Sequence, residues 1–143
     1  MIGSTPTLFM VLGPPRSGTT VLSDWAMESS GSYCVHEVLP TIEQDATAAE
    51  MLQTLRDFAR TGADRLEKHG QREFMNWRNV VTEGDPGVLG WKEPLTGGPE
   101  CELLDPRLTR FMGAYRPRVV LLQRHPVDLV ASGARREKTT SNW

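Results

Sequence analysis

The stretch from Phe9 to Thr20, FMVLGPPRSGTT, limits the fold more than any other, because an apolar run opens into a glycine-bounded loop and then into a helical pattern. Phe9, Met10, Val11 and Leu12 are continuously apolar, which suits a strand of a parallel sheet covered on both faces. Gly13 ends the run. Pro14 and Pro15 stiffen the turn, Gly18 can take a backbone conformation closed to other residues, and Thr19 and Thr20 lead into the helical stretch VLSDWAMES. Loop amides and the helix start then converge on one point, and free N–H groups with a positive helix end make that point an anion site.

Gly13 and Gly18 match the phosphate-loop frame G-x-x-x-x-G-K-[ST], but Thr19 stands where the frame has lysine. A nucleotide triphosphatase uses that lysine on the outer phosphates and the next hydroxyl on magnesium, so this chain needs another cation or different chemistry. Arg16 is the cation inside the loop, and its planar fork suits an anion with several oxygens. A glycine- and proline-rich turn that binds nothing is the alternative. The agreement of strand, loop and helix in order speaks against it.

With 143 residues, 38% of them hydrophobic, the chain has the size and composition of a single domain able to bury a core. A formal net charge of −2 carries no basic excess, so no nucleic-acid partner is expected. The apolar run Leu8 to Leu12 is too short for a membrane span or a signal-peptide core, which predicts a cytoplasmic protein without a membrane partner. Cys34 and Cys101 form neither a Cys-x-x-Cys pair nor a metal-spaced set, so reduced structural thiols are expected and no metal site, with one disulfide as the alternative.

Tyr33 to Val35 reads as a second strand ending at His36-Glu37. From Thr41 the sequence turns helical, with Ala48, Met51, Leu52, Leu55, Phe58 and Ala59 at helix-face spacing. Leu66, Phe74 and Trp77 suggest a further helical stretch, with Gly62 and Gly70 as breaks. Val88 to Trp91 reads as a third strand, after which Lys92 and Glu93 stand at its end and Pro94 forces an exit; a surface Lys-Glu pair in a loop is the alternative. Asp105-Pro106 caps a helix whose apolar face is Leu108, Phe111, Met112 and Tyr115. Val119 to Leu122 is the strongest strand pattern, and it ends in Gln123-Arg124-His125 before Pro126 starts another helix.

Strands alternating with helices predict a three-layer α/β domain with a mostly parallel sheet. In such a sheet ligand-facing side chains collect at the strand ends. Those ends carry Arg16 in the loop, His36-Glu37, Lys92 and Arg124, a set that would accept a polyanion and deprotonate a hydroxyl.

Two separated segments resemble the sulfotransferases that use 3′-phosphoadenosine 5′-phosphosulfate (PAPS). Pro15-Arg16-Ser17-Gly18-Thr19-Thr20 is similar to their 5′-phosphosulfate loop, in the arginine form found in tyrosylprotein sulfotransferases and related bacterial enzymes. Arg124-His125-Pro126-Val127-Asp128-Leu129-Val130-Ala131-Ser132 is similar to their 3′-phosphate motif. The resemblance implies a P-loop-like fold and PAPS as cofactor, with 3′,5′-adenosine bisphosphate as product. It assigns Arg16, Ser17, Gly18, Thr19 and Thr20 to the phosphosulfate, and Arg124 with Ser132 to the 3′-phosphate. Glu37 matches the base of that group, with His36 as its rival, and Lys92 matches a lysine in a Lys-acid-Pro context that joins Arg16 at the departing phosphate. The partners implied are the donor nucleotide and an acceptor hydroxyl or amine.

The family continues past its second motif with a C-terminal portion, whereas this sequence stops at Trp143. A fragment, a second chain completing the site in a homo-oligomer, and binding without turnover are the alternatives. Two other classes stay open: a phosphate-loop kinase or triphosphatase, which Thr19 disfavours, and a non-catalytic nucleotide-binding module.

Overall fold

The computed structural model describes residues 5–14, 18–29, 31–64, 85–95, 105–125, 127–128, 130–131 and 134. Strand β1 (Thr7–Gly13) leads to helix α1 (Thr19–Ala26), and strand β2 (Ser32–His36) leads through a 3-10 turn (Leu39–Thr41) to helix α2 (Ala48–Thr61). Strand β3 (Val88–Pro94), helix α3 (Pro106–Tyr115) and strand β4 (Arg118–Leu121) follow. The expected helical stretch around Leu66, Phe74 and Trp77 lies outside the described residues.

The four strands form one sheet in the order β2-β3-β1-β4, and every pairing is parallel. The architecture is therefore the α/β arrangement with a parallel sheet that the alternation of elements predicted, and it is consistent with the P-loop-like fold that the resemblance implied. Side chains alternate across a strand, so neighbouring residues of β3 mark its two faces. Lys92 reaches Thr20 on α1, whereas Trp91 meets Phe111 of α3 edge-on with ring centroids 5.3 Å apart. Helix α1 thus covers one face, and α3, with α2 packed against it, covers the other. The three layers follow from that alternation.

Local chemistry explains where the elements begin and stop. Helix α2 starts in a capping box, with Thr47 Oγ1 accepting from the Glu50 amide at 3.1 Å and Glu50 accepting from the Thr47 amide at 2.7 Å. Asp105 caps α3 by accepting from the Arg107 amide, and Pro106 stands at the first helical turn as its fixed φ favours. The expected face of α2 is buried at Met51, Leu52, Leu55 and Ala59, and that of α3 at Leu108 and Phe111. Together with Met10, Leu12, Val35 and Trp91 they form the core. Trp25, by contrast, is 65% exposed on α1.

Val119, Val120 and Leu121 form the expected strand, and their side chains are exposed where β4 pairs with β1 at the rim of the described sheet. Gly90 has the opposite character. A Cβ there would lie 2.1 Å from the Phe9 ring of the neighbouring strand, so the absence of a side chain lets that ring lie flat on the sheet.

Candidate functional site

Adjacent strands β1 and β3 lead to helices on opposite faces, so their connections part and leave a crevice at the carboxyl ends of the strands. Gly18 forms the entry to α1 with φ 96°, a left-handed conformation that glycine adopts without strain, and α1 has no side-chain cap. Thr19 is buried in the first turn, and Thr20 follows it.

Lys92 enters this crevice from β3, level with Val11 of β1 and His36 of β2. It is 2% exposed, which overturns the surface-pair alternative. Its Nζ donates to Thr20 Oγ1 at 3.1 Å and to Glu37 Oε1. A lysine ammonium has three N–H donors, and these bonds use two. A buried ammonium needs such partners, since an unpaired one would lose its hydration without return. The pairing brings together residues from three motifs that lie far apart in sequence.

Glu37 follows β2 in an uncommon backbone conformation, with φ 52°, and its amide donates to the Lys92 carbonyl at 2.9 Å. Its side chain is 29% exposed, so the carboxylate meets both the buried lysine and solvent. His36 is buried beside it, with Nε2 3.6 Å from Glu37 Oε1. The backbone N–H of His36 donates to Asp64 Oδ2 at 2.8 Å, and Tyr33 donates its hydroxyl to Asp64 Oδ1 at 2.7 Å. Asp64, just past α2, therefore fixes the end of β2 from behind.

Arg124 follows β4 and so stands at the same edge of the sheet, exposed. His125 Nδ1 accepts from the Val127 amide at 3.2 Å and its carbonyl from the Asp128 amide at 3.0 Å, so this histidine organises the turn after β4. Arg16, Ser17 and Ser132 lie outside the described residues. Among the described residues no cluster of His, Cys, Asp and Glu could hold a metal ion, and no helix is long and apolar enough to cross a membrane.

Three buried charged residues had no role in the sequence reading. Glu93 was placed beside Lys92 at a strand end, but alternation sends it to the opposite face, where its Oε1 accepts from Trp91 Nε1 at 2.9 Å and from the Leu39 amide at 2.7 Å. Arg107 donates from Nη1 to the carbonyls of Leu39 and Ile42 and pairs through Nε and Nη2 with Asp105. Its hydrogen bond holds the Asp105 carboxyl below the usual carboxylate range, and Asp105, with a smaller contribution from Glu93, raises Arg107. Asp64 is the third. Period-two alternation through Glu93 could have exposed the first; nothing local marks the other two.

No protein-family model, curated protein or solved structure matches the chain.

Proposed function

We propose that the chain binds PAPS in the crevice between β1 and β3 and transfers its sulfuryl group to an acceptor hydroxyl or amine. The observation that carries this reading is the meeting of Thr20, Glu37 and Lys92 around one ammonium at the carboxyl end of a parallel sheet. An ammonium with a donor to spare, beside a helix start opened by a left-handed glycine, has the chemistry to hold an anionic group. The carboxylate next to it has the chemistry to take a proton.

The bound donor supplies a sulfuryl group already activated as a mixed anhydride with phosphate. In the transfer, the bond from sulfur to the bridging phosphate oxygen breaks, one from sulfur to the acceptor forms, and the acceptor's proton passes to Glu37. Lys92, with Arg16 and the loop amides, opposes the charge that develops on the departing phosphate oxygen, where a fixed cation is worth most. Thr20 keeps Lys92 turned toward α1. Arg124 and Ser132 hold the 3′-phosphate, so the two phosphate groups of the nucleotide span the edge of the sheet. His36, buried against the Glu37 carboxylate, orients the base in this scheme.

Titration calorimetry with 3′,5′-adenosine bisphosphate, ATP with magnesium, and adenosine 5′-phosphate tests the reading without an acceptor. Preference for the bisphosphate, weakened in Arg124→Ala by the roughly 1.5–3 kcal/mol of a charge-assisted contact, is expected. Preference for ATP with magnesium would instead favour a phosphate-loop kinase or triphosphatase.

A further inference from the structure

The backbone of Glu37 is in the left-handed region, which is unfavourable for a residue with a Cβ. Such a conformation persists only where its surroundings over-determine it. The end of β3 supplies that determination from both faces of the sheet. On the α1 face, Lys92 bonds the Glu37 carboxylate, while the Lys92 carbonyl accepts the Glu37 amide at 2.9 Å. On the α3 face, the Glu93 carboxylate accepts the Leu39 amide at 2.7 Å, two residues past Glu37.

Glu93 is itself fixed. It is 3% exposed and also accepts from the indole of Trp91, whose ring is held against Phe111. Arg107 then clasps the carbonyl of the same Leu39 at 2.8 Å, together with that of Ile42. Leu39 is thus held through both its N–H and its C=O by buried charged side chains, and Val38, between it and Glu37, is buried. The bonds described for Glu93 and Arg107 go to Leu39, Ile42, Trp91 and Asp105.

We propose that Glu93, backed by Arg107, is a positioning residue that sets Glu37 against Lys92 by anchoring the turn after β2. Its importance to catalysis rests on the reading of Glu37 as the base; its effect on the geometry of Glu37 does not. Among the described residues, Lys92 on β3 and His36 on β2 face the Glu37 carboxylate, so displacement of the turn changes its distance from both.

Carbon-detected NMR titration of the Glu37 carboxyl in the unaltered chain, Glu93→Met and Glu93→Gln tests this directly. Methionine keeps the volume but not the acceptor for Leu39, whereas glutamine keeps both. The expected result is a Glu37 midpoint raised in Glu93→Met by about half a unit or more, as the carboxylate loses its cation, and unchanged in Glu93→Gln. An unmoved midpoint in folded Glu93→Met overturns the proposal. If Glu93→Met does not fold, amide exchange in the unaltered chain decides: a protected Leu39 N–H supports the anchor, and exchange at the free-peptide rate overturns it.

Where transfer activity is present, Glu93→Met should lower kcat by about tenfold to a hundredfold, restored in Glu93→Gln, with bisphosphate affinity within about twofold. A fall in kcat that glutamine does not restore would overturn the positioning role. Failure of the unaltered chain to bind the bisphosphate would refute sulfuryl transfer while leaving the carboxyl titration to decide the anchor.

Discussion

Glu37→Ala and Lys92→Met remove opposite ends of one ion pair, yet the two losses should differ severalfold. Lys92 is 2% exposed and Glu37 is 29% exposed. Deleting the carboxylate strands an ammonium that water cannot reach, with Thr20 Oγ1 as its remaining partner at 3.1 Å. Deleting the ammonium leaves a carboxylate that solvent can rehydrate, and methionine retains much of the packing of the lysine stem. Breaking a buried pair costs about 3–5 kcal/mol, whereas a solvated pair is worth about 0–1 kcal/mol. Glu37→Ala should therefore cost about 3 kcal/mol, at the low end because the Thr20 hydroxyl remains, and Lys92→Met about 1 kcal/mol. Alanine keeps a Cβ, so the left-handed strain at position 37 largely cancels from the comparison. The double variant should regain about 2 kcal/mol relative to Glu37→Ala, because it no longer buries an unpaired charge. Urea unfolding at pH 7 followed by circular dichroism reads all four chains, provided their denaturant slopes agree. A double variant less stable than Glu37→Ala, or a Lys92→Met as costly as Glu37→Ala, would refute the argument that unequal burial decides.

Gly90→Ala should destabilise the sheet by about 1–2 kcal/mol, the lower part of the overpacking range, since its Cβ would lie 2.1 Å from a half-buried Phe9 ring that can yield toward solvent. In a Phe9→Ala background that penalty should largely vanish; an undiminished cost in denaturant unfolding would show that the ring is not its source. Asp105, held low first by its hydrogen bond to Arg107, contributes stability above its unfolded pKa and loses it as pH falls through the lower folded value. Asp105→Asn keeps a good cap but removes that charge, so unfolding midpoints measured from about pH 5 to pH 3 should fall less steeply than in the unaltered chain. Thr47→Ala should cost about 1 kcal/mol by opening the capping box, seen as a lower urea midpoint, and an unchanged midpoint would mean that the start of α2 frays in solution.

The strand ends were legible because proline, glycine and charge punctuated short apolar runs. Gly13 closes β1, His36 closes β2 and Lys92 lies near the end of β3, so naming the ends also named the residues that meet in the crevice. What went unread was sidedness. Lys92 and Glu93 look like one pair in sequence, but a strand sends them to opposite faces, and the lysine instead finds Glu37, far away in the chain. Asp64 and Arg107 stayed hidden because each also bonds backbone groups far from it in the chain, the His36 amide for one and the Leu39 and Ile42 carbonyls for the other, and such partners carry no sequence signature. The run Val119 to Leu121 was legible as a strand but not as an exposed one: apolar composition reports suitability for burial, while position in the sheet decides whether burial occurs. The capping of α2 was legible in principle, since Thr47 and Glu50 stand at capping-box spacing before an apolar face.

The division of labour within β3 makes the order of its residues matter more than their identities. One residue inserted between Gly90 and Trp91, with the rest of the strand kept in register, would exchange the two faces beyond that point. The carboxylate of Glu93 would then enter the crevice and the ammonium of Lys92 would turn toward the core, replacing the cation of the crevice by an acid without changing composition at either residue. Deletion of Gly90 would produce the same reversal and also remove the flat seat beneath Phe9. This strand is therefore a place where insertions and deletions should be far more damaging than most single substitutions, and where the spacing Gly90-Trp91-Lys92-Glu93 is as much a part of the site as the side chains it carries.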